Sequence, residues 1–566
     1  MKAATWAVRP ALPAVVSAEV VALAAFVALP PHRAGWWPAT LISVLALLVL
    51  VLTVHRRNAP GWVAAWARYR RRRRWRAPVA AAVDVPHGGI VCGVRVDAHE
   101  AVSMVRVTGC AYAPTLLRGS TRSLSTNVLP LGVLAALLDQ PGGLRLAGID
   151  VVNAGQRVRR AEGYPPLYST LLADRPAAGR RDTHLIVRLD ITGSVAGLSY
   201  RRSIGAAAAA ATERIINALR QSGIRATAVI ADDLDAALVD LSAALVAAPP
   251  RPDTDSEKDS ANAHAPGVSA VSPHRSAPAP QTRWRRVHTT TGYLSSYYFS
   301  PEDITTAGLN QMWALRSDAI VQTTSLYKDR RVDRGRGDAV LISAMVRTSE
   351  PQPPPQPPTL TLNPLPGEQY AAILRATPTA RPRITLPAVR FDDVEPLDIP
   401  IGATGILVGA ALADDPEASP PIQADDMVML SLTDADRATR IAMDTSELYV
   451  RQLLIRAAAV GERIAVYSYE PSRWESLTQP NIAVAERRRP PPFVPTIAVN
   501  DRPTALSAAG LSATVITLGR ASDAGSAPDL RFVQTSESTV QISTPSQRLD
   551  VAIVAFRQEQ AWMGLA

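Results

Sequence analysis

The chain has little cysteine and few aromatic residues, and each shortage excludes a class of protein. Its 566 residues include 2 cysteines, too few for a disulfide-rich secreted module or a cysteine-ligated zinc cluster. Aromatic residues make up 5%, yet 47% of the chain is hydrophobic, which supports a packed core and excludes global disorder. The length predicts several domain-sized units.

The chain also lacks the short motifs of nucleotide-driven and metal-dependent enzymes. It has no GxxxxGK[ST] sequence, so it does not supply its own ATP-driven motor, and it has no HExxH pair. Ser194, in the sequence TGSVAG, does not fit a GxSxG nucleophile elbow. Gly402, Gly405 and Gly409 lack the spacing of a dinucleotide loop. We therefore expect a protein that is not an enzyme, with no catalytic residue, no cofactor and no metal ion.

Positive charge is confined to one short stretch. The formal net charge is +10, of which residues 1–54 carry +2 and residues 55–76 carry +9, so residues 77–566 carry −1. A nucleic-acid-binding body usually has a basic face and a basic total. The neutral total removes the main reason to expect nucleic acid as a partner.

Two long apolar runs precede the basic stretch. Residues 11–29 contain one charged side chain, Glu19, and residues 35–54 contain none. Each run is about long enough to cross a hydrocarbon core, so the pattern predicts two transmembrane helices. The arginines that follow the second run predict, by the positive-inside rule, a cytoplasmic N-terminus and a large cytoplasmic C-terminal region at the inner membrane.

The segment from 55 to 78 mixes arginine with aromatic residues. This composition, directly after an apolar run, predicts a helix that lies on an anionic lipid surface. A nucleic-acid arm has the same composition, but the position beside an apolar run favours lipid. The predicted membrane-surface residues are Arg56, Arg57, Trp62, Trp66, Arg68, Tyr69, Arg70, Arg71, Arg72, Arg73, Arg74, Trp75 and Arg76.

Strand and helix patterns alternate after the basic stretch. Residues 183–189 and 224–230 have the pattern of strands, and residues 203–221 and 232–246 have that of helices. We expect Asp232 or Asp233 to cap the second helix. This alternation predicts a parallel-type α/β unit.

Composition changes divide the rest of the chain. The stretch from 249 to 282 is rich in Pro, Ser, Ala and Asp, which predicts a flexible linker. The predicted order is two transmembrane helices (1–54), a juxtamembrane segment (55–78), an α/β region (79–248), the linker (249–282), a second part of the α/β region (283–486) and a small β-rich C-terminal extension (487–566).

Several segments resemble one known family. These are WVAAWARYRRRRR after the apolar runs, GYPPLYSTLLADRPAAGRRDTHLIVRLD at 163–190, WALRSDAIVQTTSLY at 313–327, LDIPIGATGILVGA at 397–410 and YVRQLLIRAAAVGERIAVYS at 449–468. Together they span roughly residues 35–480, and their order resembles EccE, a membrane component of mycobacterial type VII (ESX) secretion systems. The long C-terminal extension resembles the ESX-2 type.

The resemblance implies a structural subunit at the periphery of an inner-membrane secretion complex, with EccB-, EccC- and EccD-like partners. It also implies a cytoplasmic region with a mixed sheet and flanking helices, similar to nucleotide-sugar glycosyltransferases but without an evident active site. We expect the subunit to anchor the complex and to brace its partners.

A membrane-tethered enzyme of glycosyltransferase-like fold is the alternative. Such an enzyme needs acids that hold a metal on a nucleotide diphosphate, and Asp233 and Asp235 follow a predicted strand. The same Asp-x-Asp pattern occurs at Asp253 and at Asp434, so it is weakly specific. Capping of helix N-termini explains Asp232, Asp233 and Asp434 without a metal.

Overall fold

The computed structural model describes residues 6–8, 12–28, 36–54, 57–74, 79–157, 172, 174–246, 280–328, 339–382, 384, 386–485, 490–502, 514–519, 527–560 and 563. The helices in chain order are α1 (Leu12–Ala28), α2 (Trp37–Val51), α3 (Ala59–Arg74), α4 (Leu131–Ala136), α5 (Val195–Leu198), α6 (Ile204–Gln221), α7 (Ala231–Leu241), α8 (Thr306–Gln311), α9 (Gln369–Arg375), α10 (Glu447–Ala459) and α11 (Arg557–Gln560).

The strands in chain order are β1 (Trp6–Val8), β2 (Leu52–Val54), β3 (Val83–His87), β4 (Ile90–Val96), β5 (Glu100–Val107), β6 (Thr115–Arg118), β7 (Arg122–Ser125), β8 (Val128–Leu129), β9 (Asp139–Gln140), β10 (Leu144–Gln156), β11 (Arg180–Asp190), β12 (Ala226–Ala228), β13 (Gln281–Thr282), β14 (Val287–Thr289), β15 (Gly292–Phe299), β16 (Ala319–Lys328), β17 (Val340–Glu350), β18 (Leu362–Pro364), β19 (Val389–Arg390), β20 (Ile399–Pro400), β21 (Ile406–Ala411), β22 (Met427–Leu430), β23 (Thr439–Asp444), β24 (Ile464–Ser468), β25 (Ile482–Val484), β26 (Ile497–Asp501), β27 (Thr514–Leu518), β28 (Leu530–Gln534), β29 (Thr539–Ser543) and β30 (Arg548–Ala552).

A large sheet forms the first half of the body. Its strands follow the order β13-β14-β15-β17-β16-β10-β11-β5-β4-β3, with β9, β12, β18 and β19 paired beside this path. The pairings described in this sheet are antiparallel. The two longest neighbours, β10 and β11, lie at its centre, and most of their side chains are buried.

Helices cover both faces of this sheet, because side chains alternate between the faces along each strand. The face of Val105 and Val187 packs on α4, α6 and α8. Helix α6 begins at the Ser203 cap, whose Oγ accepts from the Ala206 N–H at 3.0 Å, and it ends where Gly223 takes a φ of 79°. The opposite face packs on α7 and α9.

A second sheet contains most of the remaining strands, in the order β25-β24-β26-β27-β23-β28-β29-β30-β21-β22-β6-β7. Strands β23 to β28 are parallel to their neighbours, except where β28 meets β29. Helix α10 connects β23 to β24, as expected for a crossover between parallel strands. The parallel pairing therefore lies in this sheet.

The prediction of a parallel-type α/β unit before the linker is wrong. The helix pattern at 203–221 is confirmed by α6, but the strand that follows, β12, pairs antiparallel with β5. Periodicity identifies a strand and a helix without identifying the strand's neighbour. The large sheet is thus antiparallel with helices on its faces.

The prediction of an N-terminal transmembrane hairpin is also wrong. Within the described part of the chain, no helix combines the length and the apolar character that crossing a membrane requires. Helix α1 has 17 residues and α2 has 15, which gives about 26 Å and about 22 Å at 1.5 Å per residue, against about 30 Å for a hydrocarbon core. The second apolar run leaves the helix at β2, which pairs with β1.

The C-terminal residues are rich in strands, but they do not form a separate small extension. Strands β26 to β30 belong to the second sheet, and β26 and β27 lie between β24 and β23. The predicted linker lies almost wholly outside the described residues, and the other domain boundaries remain predictions.

Candidate functional site

The arginine- and tryptophan-rich segment folds as helix α3. Asn58 caps it, since the Gly61 N–H donates to the Asn58 Oδ1 at 3.0 Å. Pro60 stands in the first turn, where its missing N–H leaves no helical bond unmade. Arginine and alanine are good helix formers, so the helix continues to Arg74.

One side of α3 packs on the large sheet's β13 edge. Residues three and four apart share a helix face, and Trp62, Ala65 and Tyr69 have this spacing. The rings of Trp62 and Tyr69 lie 6.1 Å and 5.4 Å from the Trp284 ring, centroid to centroid. The Tyr69 hydroxyl donates to the Thr282 carbonyl oxygen at 3.3 Å, and Ala65 is fully buried. This side of the helix is therefore not open to lipid.

A buried carboxylate holds the same side of the helix. The Arg68 Nη2 lies 3.0 Å from the Glu368 Oε1, and the Arg57 Nη2 lies 3.7 Å from that oxygen. The Glu368 side chain is 3% exposed. The Arg57 Nη1 also donates to the Pro366 carbonyl oxygen at 2.9 Å. Burial lowers the pKa of Arg57, and the charge of Glu368 opposes that shift.

The other side of α3 faces outward and carries both apolar and cationic groups. Val63 is 65% exposed and Trp66 is 50% exposed. The Arg70 guanidinium lies 4.7 Å from the centre of the Trp66 ring, and Arg71 is exposed beside it. We call Val63, Trp66, Arg70 and Arg71 the outward stripe.

The predicted membrane-surface residues thus separate into groups. Arg57, Trp62, Arg68 and Tyr69 contact the body, and Trp66, Arg70 and Arg71 face outward. Arg72, Arg73 and Arg74 belong to the helix, while Arg56, Trp75 and Arg76 lie outside the described residues. Sequence reasoning missed Glu368 and Trp284, because no local pattern links them to a helix more than 200 residues away.

Helices α1 and α2 lie against each other and expose large apolar side chains. The small residues Ala18, Ala25 and Ala39 are buried. Leu23 and Leu41 are 70% and 62% exposed. An apolar surface of this kind marks a contact site for another apolar surface.

The acids that a glycosyltransferase would use have structural partners. The buried Asp235 pairs with Arg95, whose Nε donates to the Ala80 carbonyl oxygen at 2.8 Å. The predicted capping by Asp232 or Asp233 is wrong, because the Ala231 N–H that begins α7 donates to the Asp84 Oδ1 at 2.7 Å. Asp84 lies on β3, far away in the sequence.

The Asp434 pair likewise has another role than the predicted helix cap. Its carboxylate lies 2.9 Å from the Arg225 Nη1 and accepts from the Asp436 N–H at 2.9 Å. The next helix, α10, begins later, at Glu447. Among the residues that the structure describes, no group of three or more His, Cys, Asp or Glu side chains is placed to hold a metal ion.

A charge cluster lies on the α9 face at the centre of the large sheet. The fully buried Asp150 lies 2.7 Å from Arg188, 3.3 Å from Arg381 and 3.6 Å from Arg375. Burial alone would raise the pKa of Asp150, but the three arginines hold it well below its usual range. This cluster joins β10 and β11 to α9 and the loop after it.

Part of the body that α3 contacts is similar to a known protein family. Residues 177–299 match the family described as the type VII ESX secretion system translocon, EccE. Over these residues the chain is similar to the EccE family. Thr282 and Trp284 lie within the matched residues, so the basic helix docks on this part of the chain.

Curated EccE proteins resemble the chain well beyond these residues. The ESX-2 secretion system protein EccE2 of Mycobacterium tuberculosis (strain CDC 1551 / Oshkosh) is 28% identical over 94% of this chain and 93% of its own length. The ESX-5 secretion system protein EccE5 of Mycobacterium marinum is 26% identical over 66% of this chain and 87% of its own length. The similarity to the ESX-2 protein therefore extends over nearly the whole EccE-like chain, including most of the second sheet.

Proposed function

We propose that this chain is a structural subunit of an ESX type VII secretion complex at the inner membrane. The observation that carries the proposal is the match along 94% of the chain to a protein named for the ESX-2 secretion system. The match to the EccE family within the large sheet supports the same assignment. In this role the chain braces its partners, namely EccB-, EccC- and EccD-like subunits, from the periphery of the complex.

The two apolar helices are the part of the chain best suited to contact such partners. Leu41 and Leu45 are 62% and 59% exposed on α2, and similar side chains cover α1. Burial of such side chains stabilises an interface through the hydrophobic effect. We assign the exposed surface of α1 and α2 to contact with apolar surfaces of the partner subunits.

The outward stripe supports contact between α3 and anionic lipid. Its tryptophan suits the interface between headgroups and acyl chains, and its arginines suit lipid phosphates. Because the cytoplasmic leaflet carries the anionic lipids, this proposed contact supports a cytoplasmic location for the two sheets. No described observation favours the enzyme alternative, since Asp235 is already paired with Arg95.

Co-purification tests the structural role. A tagged full-length chain, extracted in mild detergent, is expected to elute in one large particle with EccB-, EccC- and EccD-like proteins. Replacement of Leu41 and Leu45 by asparagine should reduce their recovery, because it makes the exposed apolar surface polar. The control is Leu360→Asn, which changes a side chain that is 70% exposed on the body. A monomer or dimer without these proteins would contradict the proposal.

Vesicle binding tests the outward stripe. Each arginine near an anionic surface contributes about 1 kcal/mol, so Arg70→Gln with Arg71→Gln should weaken binding about 30-fold. Sedimentation of the full chain with vesicles of phosphatidylglycerol and phosphatidylcholine measures this affinity. The matched control removes Arg531 and Arg548, two exposed arginines of the second sheet. An equal loss in both variants would show a response to net charge rather than to the stripe.

A further inference from the structure

Glu368 is a carboxylate that is buried where α3 meets the body of the protein. Its side chain is 3% exposed, and a buried carboxylate is stable only when cations or hydrogen bonds compensate it. Arg57, just before α3, and Arg68, in its third turn, both pair with this carboxylate. Two arginines of the segment that the sequence predicts to contact lipid, Arg57 and Arg68, therefore pair with an acid of the same protein.

The contacts of α3 together prevent its rotation. Arg57 is fixed before the helix by Glu368 and by the Pro366 carbonyl oxygen. Arg68 pairs with Glu368 in the third turn, and Tyr69 bonds to Thr282 one residue later. A turn of the helix about its axis would break all of these contacts at once.

The carboxylate is itself held on a rigid support. Glu368 directly precedes α9, and the side chain of the neighbouring Gln369 hydrogen-bonds to β15 of the large sheet. The Gln369 Oε1 accepts from the Ser296 N–H at 2.8 Å, and its Nε2 donates to the Ser296 carbonyl oxygen at 3.1 Å. At the far end of α9, Arg375 joins the Asp150 cluster. The position of Glu368 is thus set by the core of the sheet.

We infer that Glu368 is a positioning residue that fixes the rotation of α3, so that the outward stripe faces away from the body while the Arg57 and Arg68 guanidinium groups stay paired with Glu368. The consequence for membranes rests on the proposed lipid contact, but the rotation itself does not. The fixed rotation presents the β13 edge of the large sheet as the side of the body nearest the lipid. The opposite edge, β3, then lies farther from it.

Cysteine labelling tests the fixed rotation without any membrane. In a full-length chain with the exposed Cys110 changed to serine, Val63→Cys should react quickly with a maleimide and Ala65→Cys slowly, since Ala65 is fully buried. Adding Glu368→Gln should raise the labelling rate at position 65 at least tenfold and leave position 63 unchanged. A rate at position 65 that stays slow in Glu368→Gln would overturn the inference.

Two further variants distinguish loss of the contact between Glu368 and α3 from general unfolding. Asp426→Asn removes an acid of equal exposure, 3%, that pairs with Arg118 in the second sheet, and it should not change labelling at position 65. Arg68→Gln removes the helix residue that pairs with Glu368, so it should raise the labelling rate at position 65 as Glu368→Gln does. If Asp426→Asn raises the rate equally, general loosening explains the effect and the inference fails.

Vesicles distinguish failure of this inference from failure of the proposed lipid contact. An environment-sensitive fluorophore at position 63 should shift to shorter wavelength on vesicles that contain phosphatidylglycerol, and one at position 65 should not. In Glu368→Gln the difference between the two positions should disappear. If neither fluorophore responds in the otherwise unchanged chain, the lipid contact is wrong, while the labelling result still decides the rotation.

Discussion

Replacement of Asp150 by asparagine is expected to lower the free energy of unfolding by about 3–5 kcal/mol. The substitution keeps the shape of the side chain but leaves Arg188, Arg375 and Arg381 without the carboxylate that they share. Arg188 is fully buried, so water cannot replace the lost charge. Urea unfolding of the full chain, followed by far-ultraviolet circular dichroism, measures the difference.

Asp182→Asn is the matched control for this change. Asp182 lies on β11, the strand that carries Arg188, and it pairs with Arg180 at 3.5 Å. Both side chains are more than half exposed, so their pair contributes little, and the control should stay within about 0.5 kcal/mol. If the two variants lost similar amounts of unfolding free energy, backbone carbonyl groups alone would satisfy the hydrogen bonds of the buried arginines.

The effect of Asp150 should also depend on pH. Its folded-state pKa lies below the ordinary value of about 3.9, so its contribution is present above that value and is lost as the pH falls towards the folded-state pKa. The stability difference between the unchanged chain and Asp150→Asn should therefore be constant near neutral pH. It should narrow below about pH 4, where the unfolded chain takes up a proton that the folded chain resists.

The composition of the basic segment predicts its helix but not the side on which it docks. Arginine, alanine and tryptophan at 62–74 favour a helix at a charged surface, and α3 is that helix. The residues that contact it, Glu368 and Trp284, are positioned by the fold of the large sheet. No pattern within the segment distinguishes Arg68, which binds Glu368, from Arg70, which faces outward. Such a distinction needs the tertiary contacts.

The same limit explains two of the errors about the fold. Apolar composition at 35–54 does not show that the helix ends at Val51, because pairing of β2 with β1 ends it. Alternation of strand and helix does not show that β12 returns to β5 in the antiparallel direction. In both cases the type of element was readable locally, and its partner, 40 residues away or more, was not.

Removal of residues 490–566 is expected to abolish folding of the second sheet. The truncated chain would lose β26 and β27, which lie between β24 and β23, and all of β28 to β30. Ile497, Val499, Ile516 and Phe532 on these strands are fully buried, and each such side chain contributes about 1.5–3 kcal/mol by burial. The expected result is aggregation on expression, measured as the soluble fraction of residues 1–489.

A truncation of nearly equal length at the other end is the control. Removal of residues 1–78 takes away α1, α2 and α3, whose body contacts are concentrated at Trp284 and Glu368. Glu368 would then meet water rather than stay buried without a cation, so residues 79–566 should remain soluble and unfold cooperatively. If residues 1–489 were equally soluble and cooperative, the C-terminal strands would be an accessory to the second sheet. Their central position predicts instead that the EccE-like body needs the whole chain after residue 490 to close its second core.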